Sequence, residues 1–137
     1  MTVLVVDVAN VVGSRPDGWW RDRAGAASRL LARLTALPEA DTTGPDGGPL
    51  ACTGVIAVVE GAARDVPAPG AVAVVRAGGS GDDALTETVT GLAGGGVGVL
   101  VVTADRGLRA RLPDGVAVAG PGWLLAELDR MTAGGHG

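Results

Sequence analysis

The residues with the most chemical potential are carboxylates, and they come in a suggestive order. Asp7 follows four consecutive apolar residues, Val3 to Val6. Asn10, the chain's only asparagine, lies three positions later. Asp82 and Asp83 form an adjacent acidic pair, and Thr103-Ala104-Asp105 follows a third apolar run. A carboxylate at the end of a buried strand is expensive to desolvate unless it is paired, hydrogen-bonded or bound to a cation. Several brought together would repel one another. A hard divalent cation with oxygen ligands, Mg²⁺ or Mn²⁺, would relieve that repulsion. Zinc is disfavoured, because one cysteine, Cys52, and one histidine, His136, cannot build its usual shell. Asn10 could turn an amide toward the site, and Thr103 a hydroxyl. Each acid also has a plainer reading. Asp82 and Asp105 stand where a carboxylate would cap a helix, and Glu60 closes another apolar run where it would reach solvent.

These acids need a scaffold that gathers them. Five runs read as strands: Thr2–Val8, Val55–Glu60, Ala71–Arg76, Val97–Thr103 and Val116–Ala119. Between them, helical spacing covers Trp19–Leu37, Asp82–Leu92, Arg106–Leu112 and Pro121–Met131. Trp20 falls in the apolar stripe of the first helix and is expected in the core, as is Trp123 in the last. Residues 39–51, rich in Gly, Pro, Asp and Thr, are expected to be an exposed loop. Strands alternating with helices predict an α/β fold: a three-layer, Rossmann-like arrangement around a mostly parallel five-stranded sheet. In such sheets ligands bind beyond the carboxyl ends of the strands, where strand order reverses. Asp7, Glu60, Asp82, Asp83 and Asp105 all fall at that edge.

Composition narrows the function. The 137 residues suit one domain, here residues 1–131, followed by a small polar tail, 132–137, that includes His136. Mean hydropathy is +0.34, yet no apolar run approaches the ~20 residues that span a bilayer. A single cysteine excludes an internal disulfide and fits a reducing cytoplasm. The chain has no Lys, Phe or Tyr and only one Ile, a codon bias that makes its abundant Arg, Ala and Gly uninformative. The net charge of −4 argues against a broad polyanion-binding face but not against a local one. The Gly-rich stretches lack the phosphate-binding loop pattern: Gly94-Gly95-Gly96 precedes a strand instead of joining strand to helix.

Three segments carry a family resemblance. Asp7-Val8-Ala9-Asn10, leading to Gly13-Ser14, resembles the first-strand D-x-x-N motif of the NYN branch of PIN-like ribonucleases. Gly81-Asp82-Asp83 resembles the paired aspartates that open that family's middle helix. Thr103-Ala104-Asp105-Arg106-Gly107-Leu108-Arg109 resembles its Thr-Ser-Asp-Arg-x-Leu-Arg segment. They come in family order and span residues 3 to about 112. The resemblance implies a PIN-like fold and Mg²⁺- or Mn²⁺-dependent cleavage of RNA phosphodiesters. Asp7, Asp82, Asp83 and Asp105 would ligate metal, with Asn10 in the catalytic set. Thr103, Ser14 and Arg106 would meet substrate. Trp19, with Arg21 and Arg23 beside it, would stack on a base and supply charge. The extra acid that many relatives carry on an early helix has no secure match in Asp22 or Glu39. The segment Gly18-Trp19-Trp20-Arg21-Asp22-Arg23 also resembles actinobacterial proteins labelled NTP pyrophosphohydrolases, although neither a Nudix box nor a paired E-x-x-E helix is present. The partners implied are RNA or a nucleotide, with no membrane, and a homodimer is left open. The alternatives kept beside the ribonuclease are a nucleotide pyrophosphohydrolase using the same metal site and a non-catalytic binding module.

Overall fold

The computed structural model describes residues 2–38 and 40–134. Five strands form one wholly parallel sheet: β1 (Thr2–Asp7), β4 (Cys52–Val59), β5 (Val72–Arg76), β6 (Gly98–Val102) and β7 (Ala117–Ala119), in the order β5-β4-β1-β6-β7. Helices α1 (Val8–Val12), α2 (Arg23–Leu34), α3 (Gly81–Gly94), α4 (Arg106–Ala110) and α5 (Pro121–Gly134) cover it. The chain builds outward from β1 through β4 and β5, then returns to start the other half at β6. Strand order therefore reverses between β1 and β6.

The β-branched strands alternate between two cores. Leu4, Val6, Ala57, Val59, Leu100 and Val102 face α1, α2 and α5, whose Leu31, Leu34 and Leu124 are fully buried. Val5, Val58, Val99 and Val101 face α3 and α4, against Leu85, Val89 and Leu108. Both faces are covered, giving the three layers that the strand–helix alternation predicts. Each buried Leu or Val contributes about 1.5–3 kcal/mol of apolar transfer free energy.

The same alternation aims the edge residues. Counting on from Val5, Val58 and Val101, the positions of Asp7, Glu60 and Thr103 fall on the α3/α4 side. Because Val6 pairs with Val102, Thr103 stands beside Asp7.

Several local expectations are corrected. The first strand ends at Asp7, and a short helix, α1, begins at once, so Asn10 is helical and not in a loop. The long helix begins at Arg23, not Trp19: Asp22 accepts a hydrogen bond from the Gly25 amide (2.9 Å) and caps it, while Trp19–Arg21 form a separate 3₁₀ turn. Off the helical stripe, Trp20 is 52% exposed and not core. Trp123 packs half-buried against the core, its indole N–H donating to the Thr43 carbonyl (3.0 Å). Residues 39–51 hold a small antiparallel pair, β2 (Thr42–Thr43) with β3 (Pro49–Leu50). Helix α5 runs to Gly134, so residues 132–134 are not tail. Glu39 and His136 lie outside the described residues. No described helix is long and apolar enough to cross a membrane.

Candidate active site

Asp7 anchors the edge. It ends β1 and caps α1, one carboxylate oxygen accepting from the Asn10 amide (3.3 Å) and the other from the Thr103 hydroxyl (2.9 Å). Thr103, 1% exposed, uses the same hydroxyl oxygen to accept from the Asp105 amide (3.1 Å). Asn10 bridges back, its side-chain oxygen accepting from the Ala104 amide (2.7 Å). Asp105 caps α4 through the Leu108 amide (3.0 Å). A closed hydrogen-bonded circuit therefore ties β1 to β6 at the point where strand order reverses. Asp105 is a cap, as its plainer reading held, and also a member of this edge.

The electrostatics are unbalanced. Burial pushes the Asp7 carboxyl above its ordinary value, the bonds from Thr103 and Asn10 oppose this, and the charges of Asp82 and Glu60 add to it. Asp82, in the first turn of α3, is also raised: by desolvation first, then by Asp105 and Glu60, against a smaller pull from Arg111. The charge of Glu60 thus raises both Asp7 and Asp82, and that of Asp105 raises Asp82 as well.

Asp83 behaves differently. It turns outward to an exposed ion pair with Arg111 (2.6 Å), so its expected place among the ligands is not seen. Neither aspartate caps α3, since Ser80 does so through the Asp83 amide (3.5 Å). Glu60 accepts a hydrogen bond from the Gly81 amide. A Cβ at Gly81 would lie 2.5 Å from the Glu60 carboxylate oxygen and displace it from this amide.

The residues expected to meet substrate divide. Ser14 donates to the Val11 carbonyl (2.6 Å) and, with Asn10, lines a shallow pocket of about 350 Å³ beside α5. Arg106 is exposed at the start of α4, without an ion pair among the described residues. Trp19 and Arg23 line a cleft of about 300 Å³ between α1, α2 and the turn after β4, which Glu60 also borders. The Arg23 guanidinium lies over the Trp19 ring (5.3 Å), and Arg21 over Trp20 (6.0 Å). Gly18, at φ +84°, makes the left-handed turn that delivers Trp19 to this place.

Comparison with solved structures gives this architecture a precedent. Rae1 (YacP) from Bacillus subtilis superposes with a TM-score of 0.69 and 18% identity, covering 97% of this chain and 76% of its own. A tryptophan-to-leucine mutant of it gives 0.67 and 18%, covering 97% and 78%. The fold is shared with Rae1. No family model matches the chain, and no curated protein matches it. At 18% identity the Rae1 likeness carries the architecture alone.

Within this Rae1-like frame the donor set suits a hard cation in kind: oxygen ligands only, in mutual repulsion. It is not a finished cage. Among the described residues, no three of the Asp, Glu, Cys and His side chains are already grouped to hold an ion. The reason is local. Asp7, Glu60 and Asp105 each engage an internal amide or hydroxyl, and Asp83 engages Arg111.

Glu60, which the sequence places at this edge, is felt there by both Asp7 and Asp82. One participant escaped the sequence: Arg111 gives no signal at all, being 28 residues from the Asp83 it holds.

Proposed function

We propose that the protein is a divalent-metal-dependent ribonuclease, hydrolysing RNA phosphodiester bonds at the carboxylate edge between β1 and β6. The observation that carries this reading is that Asp7, at the end of β1, is raised by burial and by the charges of Asp82 and Glu60, while Asp82 in turn is raised by Asp105 and Glu60. The sequence motifs that resemble PIN-like nucleases supply Asp7, Asp82 and Asp105, and the Rae1-like fold is compatible with them.

In this reading Asp7, Asp82 and Asp105 would hold Mg²⁺ or Mn²⁺, joined by Asp83 once it leaves Arg111. The ion, when bound, would stabilise charge on the phosphate and make a water more acidic. The chain's own groups do the rest. Thr103 and the Asn10 amide fix the orientation of the Asp7 carboxylate. Asn10 keeps the ends of β1 and β6 together through Ala104. Arg106, exposed at the start of α4, would meet a phosphate oxygen, and Arg111 could exchange Asp83 for another. Trp19, with Arg23 stacked on it, offers an aromatic surface to the substrate.

Hydrolysis of a free nucleoside triphosphate is the second reading, favoured by the net charge of −4, since a small substrate needs no extended basic track. One assay separates the readings. Single-stranded RNA and a panel of nucleoside triphosphates are incubated with Mn²⁺ or Mg²⁺ and either wild type or Asp7→Asn. RNA cleavage that the variant loses by more than about 100-fold is expected, because even residues that only orient a metal ligand are worth 10–100-fold. Turnover of triphosphates alone would favour the second reading, and silence on both substrates would leave a binding module.

A further inference from the structure

The cleft beside the carboxylate edge has features that the hydrolytic site does not need. Its walls are mostly small and apolar, with Val8, Val12, Ala27 and Ala63 among them. Its polar side chains are Arg23, which lies over the Trp19 ring, and the carboxylate of Glu60. At about 300 Å³ it is at the small end of ligand pockets, the size of one planar heterocycle with part of its sugar. Apolar walls, one indole and one fixed acceptor form a coherent set. Flat aromatic ligands stack on the indole, and a carboxylate selects those that present N–H groups in their plane.

The Gly81 amide donates to one Glu60 oxygen and leaves the other without a donor among the described residues. A Cβ at residue 81 would meet the carboxylate and displace it from this position. Glu60 is also the one residue common to the cleft and to the acids that shift Asp7 and Asp82. A nucleotide whose base enters the cleft would therefore have its sugar–phosphate chain directed to the carboxylate edge.

We propose that this cleft is a nucleobase subsite that discriminates by exocyclic amino groups, with Trp19 as the stacking surface and Glu60 as the acceptor. Adenine, cytosine and guanine each offer an amino group to a carboxylate. Uracil offers carbonyl oxygens on both sides of its single ring N–H, and these face the Glu60 charge unfavourably. The proposal deepens the ribonuclease reading by giving that site a base preference, and it rests on that reading for its biological meaning. Its physical content is separate, because base binding needs no metal and no cleavage.

The test uses the full chain without divalent ions and the four ribonucleosides, which carry no phosphate to be repelled. The Trp19 indole N–H resonance, assigned by its loss in Trp19→Phe, reports occupancy. Adenosine, cytidine and guanosine are expected to shift it at about ten-fold lower concentration than uridine. Glu60→Gln should reduce that ratio toward one, since an amide offers a donor as well as an acceptor. Trp19→Ala should weaken all nucleosides together, by roughly ten-fold or more. If Trp19→Ala fails to fold, Ala63→Leu, which adds bulk to the cleft lining, should do the same. Asp7→Asn should leave nucleoside binding intact while abolishing RNA cleavage. That pairing separates failure of the subsite from failure of the nuclease reading. Equal shifts for all four nucleosides, no shift at Trp19, or an unchanged ratio in Glu60→Gln would each overturn the proposal.

Discussion

Asp7 and Asp129 are both carboxylates that receive two side-chain or backbone donors, and their surroundings move them in opposite directions. Asp129, exposed on α5, lies between Arg15 (2.9 Å) and Arg33 (2.6 Å), and the bonds they donate hold its carboxyl below the ordinary value. Asp7 has neutral donors and acidic neighbours, and burial raises it. The first cluster is complete in itself, its charge answered from within the chain. The second is left negative at the one place where the sheet topology opens a crevice. A balanced ion pair is how a surface stabilises itself modestly. Carboxyls raised together in a half-buried crevice are candidates for a functional site.

The largest test of this contrast falls on Thr103. Thr103→Val keeps the shape but removes the hydroxyl that binds both Asp7 and the Asp105 amide. Leaving those groups unsatisfied should lower stability by about 1–3 kcal/mol. Mn²⁺ affinity, read by calorimetry, should fall roughly 10–100-fold. Unchanged Mn²⁺ affinity would mean that the cation does not bind at Asp7.

Next in size is Arg111→Ala. It releases Asp83, and if that acid joins the ligand set Mn²⁺ should bind several-fold tighter with little change in melting temperature. Weaker binding would instead leave Asp83 outside the site.

The pH dependence sharpens the comparison further. Asp7 and Asp82 have folded-state values raised above 3.8, so each costs stability when ionised and is relieved on protonation. Without divalent ions, the melting temperature should therefore rise as pH falls toward 3.8. Asp82→Asn, which disturbs no hydrogen bond of its side chain, should raise the neutral-pH value by a few degrees and flatten that rise. Mn²⁺ should reverse the slope, because it competes with protons for the same oxygens. Asp129 has the opposite sign: its contribution is present above 3.8 and fades as pH drops below it.

The smallest effect belongs to that balanced cluster. Asp129→Asn should lower the melting temperature by about 3 °C or less, an effect that salt erodes, with no change in Mn²⁺ binding. A loss of Mn²⁺ binding there would erase the distinction between the two regions.

The strands were legible because runs such as Val3 to Val6 and Val99 to Val102 are β-branched and buried on both faces. Asp7, Glu60 and Asp105 were legible for the same reason, since each follows such a run, whereas Asp82 and Asp83 stand out only as an adjacent pair after a Gly-rich loop. Helix α1 was not: Val-Ala-Asn-Val-Val favours a strand by propensity, and only the Asp7 cap and burial of Val8 and Val11 make it helical. The Trp19–Trp20 start was misread because Trp20 matches the helical period, while Asp22, two residues on, sets the true boundary. The paired aspartates looked alike in sequence, yet the position of Arg111 sends one outward and leaves the other at the edge. Distance in sequence hides such partners.

Asp7 closes a strand and opens a helix with one carboxylate. The helix it opens lends Val8, Ala9 and Val12 to the wall of the aromatic cleft, so a ligand held by that carboxylate should register as altered amide exchange at Asn10.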